Sequence, residues 1–186
     1  MAKLYFKYGV MGCSKSAQAL ITKFNYEERG MKVLLVKPAI DTRDGKDIVK
    51  SRIGLAAEAF AVPSDENLYK FYAEKHSDND VIIVDECQFL TTEQVDQLGD
   101  IVIDFNVPVL CFGLACDFTN HLFEGSKRLF EIAESVAEIK SVCKCGAKAT
   151  VTARFDDNGN ILYKGEQVVL GGNSRYTAMC RKCWLK

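Results

Sequence analysis

The octapeptide GVMGCSKS, residues 9–16, decides the fold of this chain. It lies between a short apolar segment and a longer segment whose apolar residues have helical spacing. It is close to the phosphate-loop consensus G-x-x-x-x-G-K-[ST], in which backbone amides and a lysine bind phosphate and a hydroxyl binds Mg²⁺. Lys15 and Ser16 supply the last two groups, whereas Ser14 stands where the consensus has glycine. The candidate phosphate-binding residues are Gly9, Met11, Gly12, Cys13, Ser14, Lys15 and Ser16. A strand-to-helix turn with an exposed lysine is the alternative for this segment taken alone.

A second segment, VIIVDE at residues 81–86, ends an apolar strand in two carboxylates. A strand without polar alternation is typical of the buried interior of a parallel sheet. In phosphate-loop proteins a carboxylate at the end of a neighbouring strand holds Mg²⁺, and Asp85 suits that role. Glu86 could then act as a general base on an acceptor hydroxyl. Asp41 and Arg43 follow an earlier predicted strand, where Asp41 could hold a metal-bound water and Arg43 could contact phosphate.

The first two-thirds of the chain alternates short apolar runs with helical stretches. The predicted elements are strands at residues 4–6, 32–36, 81–84 and 108–113 and helices at residues 15–29, 91–105 and 126–138. Strands and helices in alternation imply parallel strands joined by crossover connections. The sequence therefore predicts an α/β fold.

Two cysteine pairs mark a smaller unit near the C-terminal end. The pairs have C-x-C and C-x-x-C spacing and consist of Cys143 with Cys145 and Cys180 with Cys183. They flank a turn signal, DDNGN at residues 156–160. Four thiolates in two such pairs suit a closed, tetrahedral Zn²⁺ site with a structural role, and buried reduced thiols are the alternative. We expect a nucleotide-binding domain over residues 1–140 and a zinc-binding lobe over residues 141–186.

Composition and charge exclude several classes of protein. The 186 residues are 48% hydrophobic and 26% charged, with a net charge of −1, which is a globular composition. No basic excess indicates nucleic-acid binding. No apolar run reaches the roughly 18 residues of a membrane span, and the N-terminus lacks a signal-peptide core. The eight cysteines are therefore expected as thiols or metal ligands in a reducing cytoplasm.

These segments, in this order, resemble the type II thymidine kinases, the cytosolic family of bacteria and of the animal cell cycle. DE-x-QF after a strand, together with GGN-x-x-Y before a cysteine pair, is a specific combination. The segments that carry the resemblance are YEERGM at 26–31, IDTR at 40–43, SRIG at 51–54, VDECQFL at 84–90, PVLCFGL at 108–114, FEGS at 123–126 and GEQVVLGGN at 165–173. The resemblance implies a phosphate-loop, RecA-like parallel sheet with flanking helices and a small C-terminal zinc ribbon that carries a lasso loop.

The implied reaction is transfer of the ATP γ-phosphate to the 5′-hydroxyl of thymidine, giving dTMP in pyrimidine salvage, with deoxyuridine as a second acceptor. Glu86 matches the catalytic base of the family. On the ATP side the phosphate loop is joined by Asp41, Arg43, Asp85 and Gln88, with Asp41 and Asp85 near the metal. The resemblance further implies Mg²⁺, a structural Zn²⁺, feedback inhibition by dTTP and a cytoplasmic homotetramer. It implies no nucleic-acid or membrane partner.

The same resemblance places the acceptor pocket. Thymine would lie among apolar and aromatic walls and would pair its edge with the backbone of a loop. The matching residues are Met11, Phe89, Leu114, Phe118 and Phe123 for the walls, Val168, Val169, Leu170 and Gly171 for the loop, and Tyr176 near the sugar and base. Ordinary core packing is the alternative for the apolar wall residues.

Three residues depart from the family pattern, namely Ser14, Ala17 and Ala115. Ser14 bears most on the reaction, because its side chain could crowd the triphosphate or strain the backbone if φ is positive. Two other functions stay open at this point. One is a different phosphate-loop ATPase or small-molecule kinase, and the other is a zinc-ribbon binding module without catalysis.

Overall fold

The computed structural model describes residues 1–167 and 175–186. Over these residues the strands are β1 (Leu4–Tyr8), β2 (Val33–Pro38), β3 (Ile48–Lys50), β4 (Ala56–Glu58), β5 (Phe60–Val62), β6 (Val81–Val84), β7 (Val109–Gly113), β8 (Ser135–Glu138), β9 (Ser141–Val142), β10 (Lys148–Ala149), β11 (Val151–Phe155), β12 (Ile161–Leu162) and β13 (Tyr176–Met179). The helices are α1 (Lys15–Glu27), α2 (Leu68–Lys75), α3 (Thr92–Phe105), α4 (Glu124–Ile132) and α5 (Arg181–Trp184), with a short 3₁₀ turn at Cys87–Phe89.

A six-stranded sheet of order β5-β2-β6-β7-β1-β8 forms the centre of the molecule. Every neighbouring pair in it is parallel, and the predicted α/β fold class is confirmed. All four residues of β6 are buried, as its apolar sequence VIIV predicts. The phosphate loop follows β1, and the two carboxylates follow β6. Because β1 and β6 are both parallel to β7, their carboxyl ends lie at the same edge of the sheet, with only β7 between them.

Helices cover both faces of this sheet. On one face α1 packs Ala19 and Leu20 against the strand residues Leu35, Ile83 and Phe112. Helices α2, α3 and α4 cover the other face, and their buried side chains include Leu68, Tyr72, Val95, Leu98, Ile101 and Leu129. Helix α3 begins with a capping box, in which Thr91 and Gln94 exchange side-chain and backbone hydrogen bonds.

One predicted helix is wrong over its second half. The helix predicted over residues 126–138 ends at Ile132, and Ala133 has extended dihedral angles. Residues Ser135–Glu138 instead form the edge strand β8, paired in parallel with β1. Hydrogen bonds at the sheet edge outweigh the helical spacing of this segment, because tertiary pairing routinely overrides local propensity. Strands β3 to β5 and helix α2 occupy residues 48–75, where no element was predicted.

The chain after β8 forms two small antiparallel sheets. Strand β9 pairs with β10, and β11 lies between β12 and β13. Their buried residues form two small clusters, one around Cys143 and Cys180 and one around Val151 and Trp184. In residues 1–167 and 175–186, no helix has both the length and the apolar character needed to span a membrane.

Candidate active site

The phosphate loop connects β1 to the N-terminus of α1. Lys15 is buried, and its Nζ donates a hydrogen bond to the carbonyl of Val10 at 2.9 Å. Gly12 has a φ of +80°, and Ser14 takes φ 67° and ψ 27° at the N-cap position. Ser14 makes no capping hydrogen bond with its side chain. The chain therefore holds a serine in the left-handed conformation that glycine adopts at little cost.

Asp85 directly follows strand β6. Its side chain is buried, and Oδ1 has no hydrogen-bond partner among the described residues. Burial, followed by the negative charge of Glu86, raises the pKa of Asp85 to about 7, while the nearby Ser16 hydroxyl and the charge of Lys15 act to lower it. A buried, unpartnered carboxylate oxygen beside a hydroxyl and an ammonium group fits a Mg²⁺ ion bound with a nucleotide.

Glu86 projects from a left-handed backbone position, with φ 52° and ψ 36°. Both of its oxygens are held by neighbouring side chains: Oε1 accepts from Nη2 of Arg43 at 2.5 Å, and Oε2 accepts from Nε2 of Gln88 at 2.5 Å. The other amide atom of Gln88, Oε1, accepts a hydrogen bond from the backbone N–H of Leu114 at 3.0 Å. Gln88 therefore fixes both the carboxylate and the start of the segment predicted to contact thymine. The prediction that Gln88 lies on the ATP side is not tested by this contact.

Arg43 is paired on its other side with Asp41, whose Oδ1 accepts from Nε at 2.7 Å. Burial opposes ionisation of Asp41, but the hydrogen bond and charge of Arg43 outweigh it and lower the pKa of Asp41. Lys37 was not singled out from the sequence, although a lysine in an apolar strand is a visible signal. Its Nζ is buried, donates to the carbonyls of Gly45 and Ile48 at 2.7 and 2.9 Å, and lies 3.7 Å from Asp41.

Some of these groups line a cavity of about 350 Å³ between the phosphate loop and the β3–β4 turn. The predicted site residues that line it are Met11, Gly12, Ser14, Lys15, Ser16, Arg43, Glu86 and Leu114. Seven further residues line the cavity but were not predicted as site residues from the sequence: Ala17, Asp44, Lys50, Ser51, Arg52, Ile53 and Gly54. The predicted residues that do not line it are Gly9, Cys13, Asp41, Asp85, Gln88, Phe89, Phe118, Phe123 and Tyr176. Val168, Val169, Leu170 and Gly171 lie outside the described residues.

Two residues of the predicted aromatic wall, Phe118 and Phe123, are buried, and Phe89 is half-buried, but none of the three lines the cavity. Phe118 and Phe123 are 1% and 5% exposed, and the rings of Phe89 and Phe123 meet edge to face at 5.7 Å between centroids. The guanidinium of Arg154 lies over the ring of Phe118, 4.1 Å from its centroid. Arg154 also donates to the carbonyl of Glu166 at 3.0 Å. One face of Phe118 is thus covered by a cation that the sequence did not assign to the pocket.

Two hydrogen bonds tie the C-terminal part of the chain to the site. The backbone N–H of Met11 donates to Oγ1 of Thr152 in β11 at 3.0 Å. Nε2 of Gln167 donates to Oδ2 of Asp117 at 2.9 Å. The first bond reaches the phosphate loop, and the second reaches the residue next to Phe118. The lobe is therefore joined both to the loop and to the aromatic wall.

The four predicted zinc ligands come together in the lobe. The Sγ atoms of Cys143, Cys145, Cys180 and Cys183 all lie within 4.8 Å of one another, so they could hold a metal ion. Backbone amides of Cys145 and Cys180 lower the pKa of Cys143 to about 6, whereas contacts with the other thiols raise the pKa of Cys183 to about 12. Four sulfur donors at this spacing fit the tetrahedral coordination that Zn²⁺ prefers.

Comparison with known proteins adds an independent observation. A family model described as thymidine kinase matches residues 2–184. A thymidine kinase of Zymomonas mobilis is 48% identical over 100% of this chain and 97% of its own length. That of Enterobacteria phage T4 is 49% identical over 99% and 96%, and that of Vibrio vulnificus strain YJ016 is 46% identical over 98% and 96%. A solved DNA replication initiation factor aligns with a TM-score of 0.43 at 12% identity over 74% of this chain and 40% of its own, which is too distant to support an argument.

Proposed function

The chain belongs to the thymidine kinase family, and from that premise we propose how the residues of its cavity carry out the reaction. The activity is the ATP-dependent phosphorylation of thymidine. Neither alternative function, another phosphate-loop enzyme or a non-catalytic zinc ribbon, is favoured by the match over the whole chain. The observation that carries the proposal is that Lys15, Ser16 and Glu86 line one cavity.

Lys15, Ser16 and the backbone amides of residues 9–16 bind the triphosphate of ATP. The unpartnered oxygen of Asp85, beside the Ser16 hydroxyl, supports Asp85 and Ser16 as the residues that hold Mg²⁺. When bound there, Mg²⁺ neutralises part of the negative charge on the phosphate oxygens. We also propose Asp41 near the metal, and its hydrogen bond from Arg43 supports a second role in orienting that arginine.

Glu86 acts as the general base. As the thymidine 5′-oxygen forms its bond to the γ-phosphorus, the hydroxyl proton moves to a carboxylate oxygen of Glu86. The bond from the γ-phosphorus to the bridging oxygen breaks, and ADP leaves with that electron pair. Arg43 and Gln88 hold the carboxylate in place, which supports the role because a base must be positioned before its proton affinity matters.

The acceptor pocket lies on the Leu114 side of the cavity. Leu114 lines the cavity, and Phe118 and Phe123 are buried close to it in sequence, which supports an apolar and aromatic surface for a flat pyrimidine. Met11 adds a side chain from the phosphate loop, and Phe89 packs against Phe123. The predicted contacts of Tyr176 and of residues 168–171 remain part of the proposal. Deoxyuridine is a second acceptor, since it lacks only the 5-methyl group.

We propose that residues 141–186 are a zinc-stabilised lobe attached to a nucleotide-binding domain of residues 1–140. The small apolar clusters of the lobe support this role, because a unit with so little core needs a metal or another constraint. A cluster of reduced thiols also favours a cytoplasmic location.

A homotetramer is the proposed assembly. Ile21 and Phe24 on α1 are 46% and 58% exposed, and Phe60 and Val136 on the two edge strands are 50% and 43% exposed. Apolar side chains on a helix face and at open sheet edges support contacts with further copies of the chain. Light scattering after gel filtration should give a mass of four chains, and the mass of one chain would contradict this assembly.

Inhibition by dTTP follows from its chemistry, because it carries both a thymine base and a triphosphate. One molecule can therefore occupy the acceptor pocket and the phosphate loop together. We expect dTTP to compete with thymidine and with ATP in steady-state kinetics.

The catalytic assignment is tested with Glu86→Gln, and the exposed Glu28→Gln serves as its matched control. Loss of a positioned base lowers rates by about 10²–10⁴-fold. We expect Glu86→Gln to lower kcat for dTMP formation by that factor while thymidine and ATP still bind, and Glu28→Gln to match wild type. A Glu86→Gln variant with wild-type kcat contradicts the role of Glu86.

A further inference from the structure

The two faces of strand β11 contact different parts of the molecule. One face packs into the apolar cluster of the lobe, through Val151, Ala153 and Phe155. Because side chains alternate along a strand, Thr152 and Arg154 lie on the opposite face. Thr152 contacts the phosphate loop, so this face is turned towards residues 1–140. Tyr176 is the partner of Arg154 in β13 and shares that face.

Arg154 reaches from this face to the loop after β7. Its guanidinium lies over the ring of Phe118, 4.1 Å from the centroid, and donates to the carbonyl of Glu166 at 3.0 Å. Gly165 has a φ of +137°, and a Cβ atom built on it would lie 3.2 Å from Nη2 of Arg154 and 3.5 Å from Cζ of Phe118. A side chain at position 165 would therefore crowd both groups. Three separate parts of the chain meet in this one contact.

A second contact attaches the same segment beside Phe118. Nε2 of Gln167 donates to Oδ2 of the buried Asp117 at 2.9 Å. The other oxygen of Asp117 accepts from the backbone N–H groups of Thr119 and His121 at 2.8 and 3.1 Å, so the carboxylate is fixed by its own turn. Residues 165–167 are thus held at positions 117 and 118, once through Asp117 and once through Arg154.

We propose that Arg154 is a positioning residue for the acceptor nucleoside. It holds the ring of Phe118 and the segment 165–167 against each other, and in this way raises the affinity for thymidine. A cation over a ring face is attracted by the electrons of that face, and the attraction is stronger where water is excluded. The planar guanidinium can cover a ring and donate to a carbonyl at the same time, which an ammonium group does less well. The inference rests on the proposed function in taking Phe118 as part of the acceptor wall.

The test compares Arg154→Gln and Arg154→Lys with the control Arg29→Gln. Arg29 is exposed and also donates to a backbone carbonyl, that of Asn25 at 3.1 Å. Thymidine and ATP binding are measured by calorimetry, phosphate transfer by steady-state kinetics, and amide hydrogen exchange of residues 165–167 by mass spectrometry without ligand.

We expect Arg154→Gln to weaken thymidine binding by about tenfold, since it loses both the ring contact and the charged hydrogen bond. It should speed amide exchange over residues 165–167. Its kcat and its affinity for ATP should stay within about twofold of wild type, because the lost contact does not involve the phosphate chain. Arg154→Lys should recover part of the loss in thymidine binding, since it keeps a cation over the ring, and Arg29→Gln should match wild type.

Binding and exchange separate the two levels of inference. If wild type phosphorylates thymidine, unchanged thymidine affinity in Arg154→Gln overturns the role of Arg154. Weaker binding without faster exchange also overturns it, because Arg154 would then act on the nucleoside itself. Equal losses for thymidine and ATP would show a general structural defect and overturn it too. If wild type fails to phosphorylate thymidine, the proposed function is contradicted, and amide exchange alone then decides whether Arg154 holds residues 165–167.

Discussion

Replacing Ser14 with glycine tests the conformation of the phosphate loop. Ser14 has φ 67° and ψ 27°, and its carbonyl accepts the first helical hydrogen bond of α1, from the N–H of Gln18 at 3.0 Å. A left-handed conformation costs an L-residue about 1–2 kcal/mol. Because the Ser14 side chain makes no capping hydrogen bond, no cap offsets that cost.

The expected gain in the free energy of unfolding is the strain energy that glycine removes, minus the free-energy cost of the extra conformational entropy that glycine gives the unfolded chain. That entropy amounts to about 0.4–1 kcal/mol, so the net gain for Ser14→Gly is about 0.5–1 kcal/mol. In a chain of this size, a change of that order raises the melting temperature by about 1–4 °C. Ser64→Gly is the matched control, because Ser64 is exposed in a turn and is absent from the residues with positive φ. It should lower stability by about 0.4–1 kcal/mol.

Urea unfolding and calorimetry measure the stabilities of the two variants against wild type. Steady-state kinetics with varied ATP then measure the effect of Ser14→Gly on use of the donor. We expect Ser14→Gly to raise kcat/KM for ATP by up to about tenfold, since removal of the side chain relieves crowding of the triphosphate. The strain argument is refuted if both glycine variants lose the same stability. An unchanged kcat/KM for ATP shows that Ser14 does not crowd the donor.

Three further changes have defined outcomes. Lys37→Met should cost about 3–5 kcal/mol of unfolding free energy, because it leaves two buried carbonyls and Asp41 without their cation. The matched control Lys32→Met should change stability little, because the Lys32 side chain is exposed; equal melting temperatures for the two variants would contradict this. Chelation of zinc should shift the fluorescence of Trp184, the one tryptophan, to longer wavelength, since it is buried next to Cys183; an unchanged spectrum counts against zinc. The folded-state pKa of Asp85 is raised to about 7, so between about pH 4 and 7 the folded chain keeps a proton that the unfolded chain loses. As the pH rises over that range, the free energy of unfolding of the nucleotide- and metal-free protein should therefore fall by up to about 1.4 kcal/mol per pH unit. Asp85→Asn should remove this dependence of stability on pH.

Much of the sheet could be predicted because its strands are apolar on both faces. The segment VIIV at residues 81–84 is a buried parallel strand in sequence and in structure. The segment Ser135–Glu138 was wrongly predicted as helix. It forms a strand because it pairs with the open edge of β1, which lies far away in sequence. Local patterns carry no information about such an edge.

Site residues could be predicted from the sequence where they come directly after an apolar strand or belong to the phosphate-loop consensus. Glu86 and Lys15 were found in this way, and both line the cavity. Arg43 and Gln88 were predicted as site residues on the ATP side, but their hydrogen bonds to Glu86 were not, since those bonds depend on side-chain directions across separate elements. Arg52 belonged to a recognised segment, but its place in the lining of the cavity appears only in three dimensions.

The most direct measurement is phosphate transfer from ATP and Mg²⁺ to a panel of nucleosides, with the 5′-monophosphates identified by mass spectrometry. We predict rapid formation of dTMP, slower formation of dUMP, and no transfer to cytidine or adenosine. ATP hydrolysis without dTMP formation, or transfer to cytidine or adenosine in preference to thymidine, would contradict an acceptor pocket built from Leu114, Phe118 and Phe123.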